Sequence, residues 1–366
     1  RDCAPLSSTR SADGRDSVVS SGPSLSSFVL RAERHGSHGT VGTWALHAPV
    51  ESFAMGNSTL IAKEEAEMGL VIGVDGSNAA RMACDFVANR TWPTGTRVTL
   101  LAAIEPVIDW SGLAPLPGDI IDDQRTSLQL VLEDHADMLR RSGLAVEATV
   151  EVGHAADLIM RAADERFADL IVVGNRGRGP ASSAVLGSVS AHLVDHAACP
   201  VLVVRSPSAS RMLLATDGSQ SSRSIPRVLA AWGPAFRSLP TEVVSVASRD
   251  GFITPWSSDD DAFSADLVLH EGIAEQVADE MLELGWEAAA VSRVGDPSRE
   301  IVETGREWGA DLIVTGSRGL GTFQRLVRGS VAHDVLLHAR SSVLVVRGVV
   351  PAPHVVRAPV AALGLA

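Results

Sequence analysis

Two glycine-rich stretches constrain this chain more than any other feature. Gly174-Asn-Arg-Gly177, nine residues, then Gly187-Ser188 is repeated as Gly316-Ser-Arg-Gly319, nine residues, then Gly329-Ser330. Each stretch follows a short apolar run, Leu170-Ile-Val-Val173 or Leu312-Ile-Val-Thr315. Each also precedes a segment compatible with a helix, Val189 to His196 or Val331 to His338. A strand therefore ends in a loop that delivers Gly-Ser to the start of a helix. Glycines let main-chain N–H groups face a ligand without an intervening Cβ. The unpaired N–H groups and dipole of a helix start favour negative charge. The pattern reads as a phosphate cradle, present twice. Glycines chosen only for tight turns would explain one such loop but not two with the same spacing.

The duplication extends well beyond the loops. Asp75 and Asp217, Gly153 and Gly295, Asp169 and Asp311, and Gly174 and Gly316 each lie 142 positions apart. A constant offset marks a tandem repeat. Near the second strand, Thr241 to Ala247 is expected to slip by one residue. Each copy opens with a strand, Leu70 to Val74 in the first, that ends at Asp-Gly-Ser, which combines turn and helix-capping chemistry. Arg97 to Ile104, Val146 to Val152, Leu170 to Val173 and Val201 to Val204 read as the remaining strands of the first copy. The intervening helical patterns include a long one from Ile120 to Arg141 that stops at Ser142-Gly143. Strands alternating with helices imply a parallel sheet covered on both faces. Ligands of such sheets sit beyond the carboxyl ends of the strands, where strand order reverses. Asp75 and Gly174 both occupy such ends and are expected to share one crevice.

At 366 residues the chain suits about two domains of the usual ~150 residues each. The expected layout is a disordered extension at 1–66, domains at 67–207 and 208–350, and a loose tail at 351–366. The chain begins at Arg1, and Met55 or Met68 is a candidate start. A net charge of −13 argues against general affinity for nucleic acid or anionic membrane. No apolar run approaches the ~20 residues of a membrane span. Cys3, Cys84 and Cys199 lack ligand-like spacing, which suits a reduced cytoplasmic protein without structural zinc. The one lysine, Lys63, lies outside both loops, which excludes a phosphate loop of the Gly-x-x-x-x-Gly-Lys-Ser/Thr type.

Gly-x-x-Gly, nine residues, then Gly-Ser, after a first strand ending in Asp-Gly-Ser, resembles the ATP-binding branch of the universal stress protein family. Cys199-Pro-Val-Leu-Val-Val204 and Ser341-Ser-Val-Leu-Val-Val346 resemble its final strand. The resemblance implies an α/β fold of two tandem doubly wound domains. Each would be a five-stranded parallel sheet of order 3-2-1-4-5 with helices on both faces, binding ATP at the switch point. It also implies roles for individual residues. Gly174 and Gly177 would wrap the phosphates, with Arg176 beside them. Gly187, Ser188 and Val189 would close from the helix start, the Ser188 hydroxyl donating. Gly73, Val74 and Asp75 would lie near the nucleoside and any magnesium, and Ala103 would meet adenine through its backbone. The matching set in the second copy is Thr216, Asp217, Val246, Gly316, Arg318, Gly319, Gly329, Ser330 and Val331. The pattern departs from the family's at Pro180, which stiffens the first loop, and at Ala215, which replaces the glycine that Gly73 supplies.

Arg176, Arg178, Arg318, Arg325 and Arg328 crowd the loops, either pairing with phosphate or simply solvated. His192, His196, His333 and His338 have no evident carboxylate or cysteine partner and suit surface or capping roles. The seven tryptophans form no base-stacking platform. No nucleophile–base pair or metal cluster accompanies the cradle. The expectation is an ATP-binding regulator or sensor of the stress response, with no catalytic and no metal-ligating residues. An intrachain pseudo-dimer of the two copies and a homodimer of chains follow from the resemblance. The alternatives are a slow ATPase, a nucleotidyl transferase (whose His-Ile-Gly-His signature is absent), and an interaction module with empty cradles.

Overall fold

The computed structural model describes residues 68–105, 118–177, 186–248, 260–317 and 330–347. The extension expected to be disordered, 1–66, and the loose tail, 351–366, lie outside these residues.

The first copy supplies β1 (Gly69–Gly73), α1 (Asn78–Ala88), β2 (Arg97–Ile104), α2 (Gly118–Arg141), β3 (Ala145–Val152), α3 (Ala155–Glu165), β4 (Leu170–Gly174), α4 (Ser188–His196) and β5 (Val201–Val204). The second copy repeats the series. Its elements are β6 (Met212–Ala215), α5 (Gln220–Arg223), α6 (Ile225–Ala231), β7 (Thr241–Ala247), α7 (Asp260–Glu283), β8 (Ala288–Val294), α8 (Pro297–Trp308), β9 (Leu312–Gly316), α9 (Ser330–His338) and β10 (Ser342–Val346). Where the first copy has the continuous helix α1, the second has α5 and α6. Pro226 has no N–H to return to the turn before it, so the helix breaks there and restarts.

The strands among the described residues join one ten-stranded sheet of order β3-β2-β1-β4-β5-β10-β9-β6-β7-β8. Every neighbouring pair is parallel except β5 and β10, which are antiparallel, with Leu202 opposite Leu344. The registers also locate the one-residue slip. Leu70 pairs with Val98 and Met212 with Thr241, so the second strands are offset by 143 while the first strands keep 142. Ala103 and Val246 are therefore true counterparts.

Alternation along the strands divides the core between the two faces of the sheet. Leu70, Ile72, Leu100, Val172 and Leu202 face one way, with residues of α1, α2, α6 and α7. Val71, Leu101, Val173 and Val203 face the other, with residues of α3, α4, α8 and α9. Each layer runs across both copies without a break. On the first face Phe236 meets Phe86 at 6.4 Å and Trp92 at 5.9 Å, the latter edge-on, so an aromatic from the second copy sits between two from the first. The Arg90 guanidinium lies over both phenylalanine rings, at 5.1 and 5.8 Å. On the other face two arginines are exchanged about the local twofold. Arg205, just past β5, donates to Leu336 O at the end of α9 and to Ser341 O. Arg347, just past β10, donates to Val194 O at the end of α4. Cations at helix carboxyl ends satisfy carbonyls that the helix leaves open.

The turn between α3 and β4 breaks the symmetry. Gly309 ends α8 at φ 71°, the usual glycine solution. Its counterpart Phe167 adopts φ 49° and is 71% exposed. A left-handed conformation costs a residue with a Cβ roughly 1–2 kcal/mol.

Two outcomes follow for stability. Because both core layers cross the seam, calorimetry should give one cooperative unfolding transition, and Phe236→Ala should lower stability by about 3–5 kcal/mol without splitting it. Phe167→Asn, which tolerates the left-handed region, should raise the unfolding free energy by about 1 kcal/mol in urea titrations.

Candidate functional site

The first crevice lies at the carboxyl ends of β1 and β4. Past β1 the chain turns at Gly76, whose φ of 75° suits glycine, and enters α1. Asp75 Oδ1 accepts from the Ser77 N–H at 2.9 Å, and Ser77 Oγ caps α1 by accepting from the Ala80 N–H at 3.2 Å. The same hydroxyl donates to Arg176 O at 3.4 Å, tying the turn after β1 to the loop after β4. Asp75, Ser77, Arg176 and Gly177 thereby share one place.

The glycines do different work within it. A Cβ on Gly174 would stand 2.6 to 2.7 Å from Ala79 main-chain atoms, so Gly174 is required by the packing of β4 against α1. A Cβ on Gly177 would stand 2.6 Å from Asp75 Oδ2, so the bare glycine keeps open the space before that carboxylate. A Cβ on Gly73 would stand 2.6 Å from Ile159 Cδ1, so this position is closed to any side chain unless Ile159 moves. The Gly187 N–H donates to Asn175 O at 2.9 Å, bracing the two ends of the loop. Ser188, Val189 and Ser190, at the start of α4, have amides with no intrahelical acceptor, the first such bond being that of Ala191 to Gly187 O. The Ser188 side chain is exposed and Val189 packs against the second core layer.

Ser190, which the sequence reading passed over, anchors the arrangement. Its buried hydroxyl donates to Gly174 O at 2.8 Å, fixing the start of α4 to the tip of β4. A serine three residues past Gly187 was the available signal. Arg205, also passed over, lies near enough to Arg176 to feel its charge. Burial first, and Arg176 second, bring the Arg205 guanidinium down to about 10. The two thiols among the described residues stand outside this chemistry, since burial pushes both Cys84 and Cys199 up to about 12.

In the second crevice Gly218 has φ 74°, and Asp217 Oδ1 accepts from the Ser219 N–H at 3.0 Å, matching the first turn closely. Ser219 caps α5, accepting from the Ser222 N–H at 3.4 Å. Thr216 replaces Val74 and is buried; its hydroxyl donates to Ser222 Oγ at 3.2 Å. A Cβ on Gly316 would approach Ser222 N at 3.0 Å, so this glycine also answers to helix packing. Ser330 begins α9 and is exposed, and Val331 packs against the second core layer. Ala103 and Val246 occupy matching positions near the tips of β2 and β7, facing that same layer. Arg318, Gly319 and Gly329, with Arg178, Pro180, Arg325 and Arg328, lie outside the described residues.

The sequence pattern of the Universal stress protein family matches residues 69–205 and again residues 209–347. The chain belongs to the universal stress protein family. Among its relatives is a universal stress protein of Mycobacterium tuberculosis (strain ATCC 25618 / H37Rv), 29% identical over 299 residues. That match covers 77% of this chain and 97% of the relative. One from Mycolicibacterium smegmatis is 27% identical over 315 residues, covering 78% and 99% of the two chains. Of solved structures, a universal stress protein from Archaeoglobus fulgidus DSM 4304 is 21% identical. It covers 77% of this chain and 98% of its own with a TM-score of 0.54, a likeness of fold.

Within this universal stress protein the glycines of the first loop therefore separate by role. Gly174→Ala should cost about 1–3 kcal/mol, because the new methyl meets helix backbone that cannot give way. Gly177→Ala should change stability by less than about 0.5 kcal/mol, since it meets only the end of a side chain. Urea denaturation of the two variants checks the contrast.

Proposed function

We propose that this universal stress protein binds an adenine nucleotide, ATP, in each of its two crevices and acts as a nucleotide-dependent regulator in the stress response. One observation carries the reading. The bare Gly177 main chain stands directly before the Asp75 carboxylate, in a space that a single Cβ would fill. The start of α4 offers the amides of Ser188 and Val189 beside it, and Arg176 adds positive charge. Such a set accepts a polyphosphate through main-chain amides and leaves Asp75 toward the sugar or a phosphate-bound magnesium ion. In the second copy Thr216, Asp217, Gly316, Ser330 and Val331 supply the matching groups, with Arg318, Gly319 and Gly329 completing the loop. Ala103 and Val246 are the positions assigned to read the base through the main chain. Family membership favours regulation over turnover; hydrolysis, if any, is slow.

A homodimer and a cytoplasmic location belong to the same proposal. The dimer has to form through surfaces other than the β5 and β10 edges, which pair within the chain. None of the described helices is long and apolar enough to cross a membrane.

Freshly purified protein, extracted and analysed for nucleotides, should release ATP. Ligand at about 1,000 times its dissociation constant should add roughly 4 kcal/mol of stability, read as a rise in melting temperature. The Gly177→Asp, Gly319→Asp double variant should lose both effects, because each new carboxylate repels phosphate. Protein that is empty and shows no thermal shift at millimolar ATP would instead be an interaction module.

A further inference from the structure

The internal duplication provides its own control, and at one corner the two copies differ systematically. In the first copy the floor beside the crevice is apolar: Val74, Ala80, Ala102 and Leu128 are all buried. The matching positions in the second copy are Thr216, Ser222, Ser245 and His270. All four apolar side chains have become hydrogen-bonding ones.

These four are adjacent in space. Ala215 pairs with Val244, so Thr216, just past β6, and Ser245 on β7 are next in register. Leu214 and Val243 face the first core layer, and alternation puts Thr216 and Ser245 on that same face. The Ser245 hydroxyl and His270 Nδ1 share a hydrogen bond of 2.7 Å. His270 Nε2 turns toward Asp266 Oδ1 at 3.9 Å, one helical turn earlier on α7. From Thr216 the hydroxyls continue to Ser222, which donates to Asp217 Oδ1 at 2.8 Å. A second residue of α7, Ile273, lies close to the same turn, where a Cβ on Gly218 would stand 3.0 Å from its Cδ1. A polar corner thus runs from α7, across the tips of β7 and β6, to the carboxylate of the second crevice.

Buried hydroxyls and an imidazole cost stability relative to the apolar set they replace, unless something is gained. The corner is not a nucleophilic triad. Ser245 is fully buried, and Asp266 is too distant from the ring for a hydrogen bond. A corner of this kind would hold the Asp217 turn before a ligand arrives: Ser222 donates to Asp217 Oδ1, and Ile273 of α7 lies close to Gly218. Ordering costs avoided in advance appear as affinity.

We propose that His270, acting through Ser245, is a positioning residue of the second crevice, and that it makes this crevice the tighter of two unequal sites for the same nucleotide. The inference rests on the nucleotide reading above. Titration calorimetry of ATP into the full chain tests it. Two binding steps about tenfold apart are expected, the tighter removed by Gly319→Asp and the weaker by Gly177→Asp. Ser245→Ala with His270→Leu, which installs the first copy's residues, should weaken only the tighter step by about tenfold. Its ligand-free melting temperature should be equal to or above that of the parent protein. His270→Gln, which retains a hydrogen-bonding partner for Ser245, should keep the steps apart. One class of equal sites, or two steps unaffected by the double substitution, would overturn the positioning role while leaving nucleotide binding intact. No heat with ATP at any site would overturn both readings.

Discussion

The antiparallel pairing of β5 with β10 is the contact on which the rest of the molecule depends. Each copy ends on the strand that would otherwise be an open sheet edge, with unpaired amides and carbonyls in an apolar setting. Pairing the two edges merges ten strands into one sheet and lets both core layers cross the seam. Buried Ser342 secures the margin of this join, its hydroxyl accepting from the main-chain N–H of Arg205 at 3.0 Å. The arginine exchange then fixes the helices. Arg205 holds the end of α9 and Arg347 the end of α4, each helix belonging to the opposite copy. Since the other end of α4 opens onto the first crevice, where the Gly187 N–H donates to Asn175 O, that crevice is braced by the second copy.

At the crevice itself, a tight turn, a cap and an inter-strand tie are made by the few residues of Asp75-Gly76-Ser77. The aspartate closes the turn, the glycine permits it, and the serine both caps α1 and reaches the loop after β4. Reuse of the same atoms in Asp217-Gly218-Ser219 shows that the geometry is a property of the motif. Around that constant element the copies have drifted. Phe167 sits where Gly309 is relaxed, α1 is broken into α5 and α6 at Pro226, and an apolar floor has become a polar one.

Much of this was legible in the chain. Arg97–Ile104, Val201–Val204 and Thr241–Ala247 are strands with the bounds that their apolar runs suggest. The expected starts of α4 and α9 fall one residue inside the observed ones. Such features are set by neighbours two to four positions away, which is the range a sequence pattern reports. For Gly187, the sequence of a glycine in a loop gives no sign of where its N–H points. Only the approach of Asn175 O, twelve positions earlier, shows that this amide braces the loop. Ser190 and Arg205 were missed because their partners, Gly174 O and Leu336 O, lie 16 and 131 positions away.

The amino-acid sequence by itself determined the repeat, the alternation of strand and helix, the apolar faces and the Asp-Gly-Ser turns, since each is a local regularity written twice at one offset. Tertiary structure alone decided that the copies share a sheet by antiparallel edges, that their arginines cross over, and that Ser245 meets His270. Those outcomes depend on which surfaces are brought together when both core layers are buried. Hydrophobic burial is non-directional, so it leaves no marker in the chain for the pairs it creates.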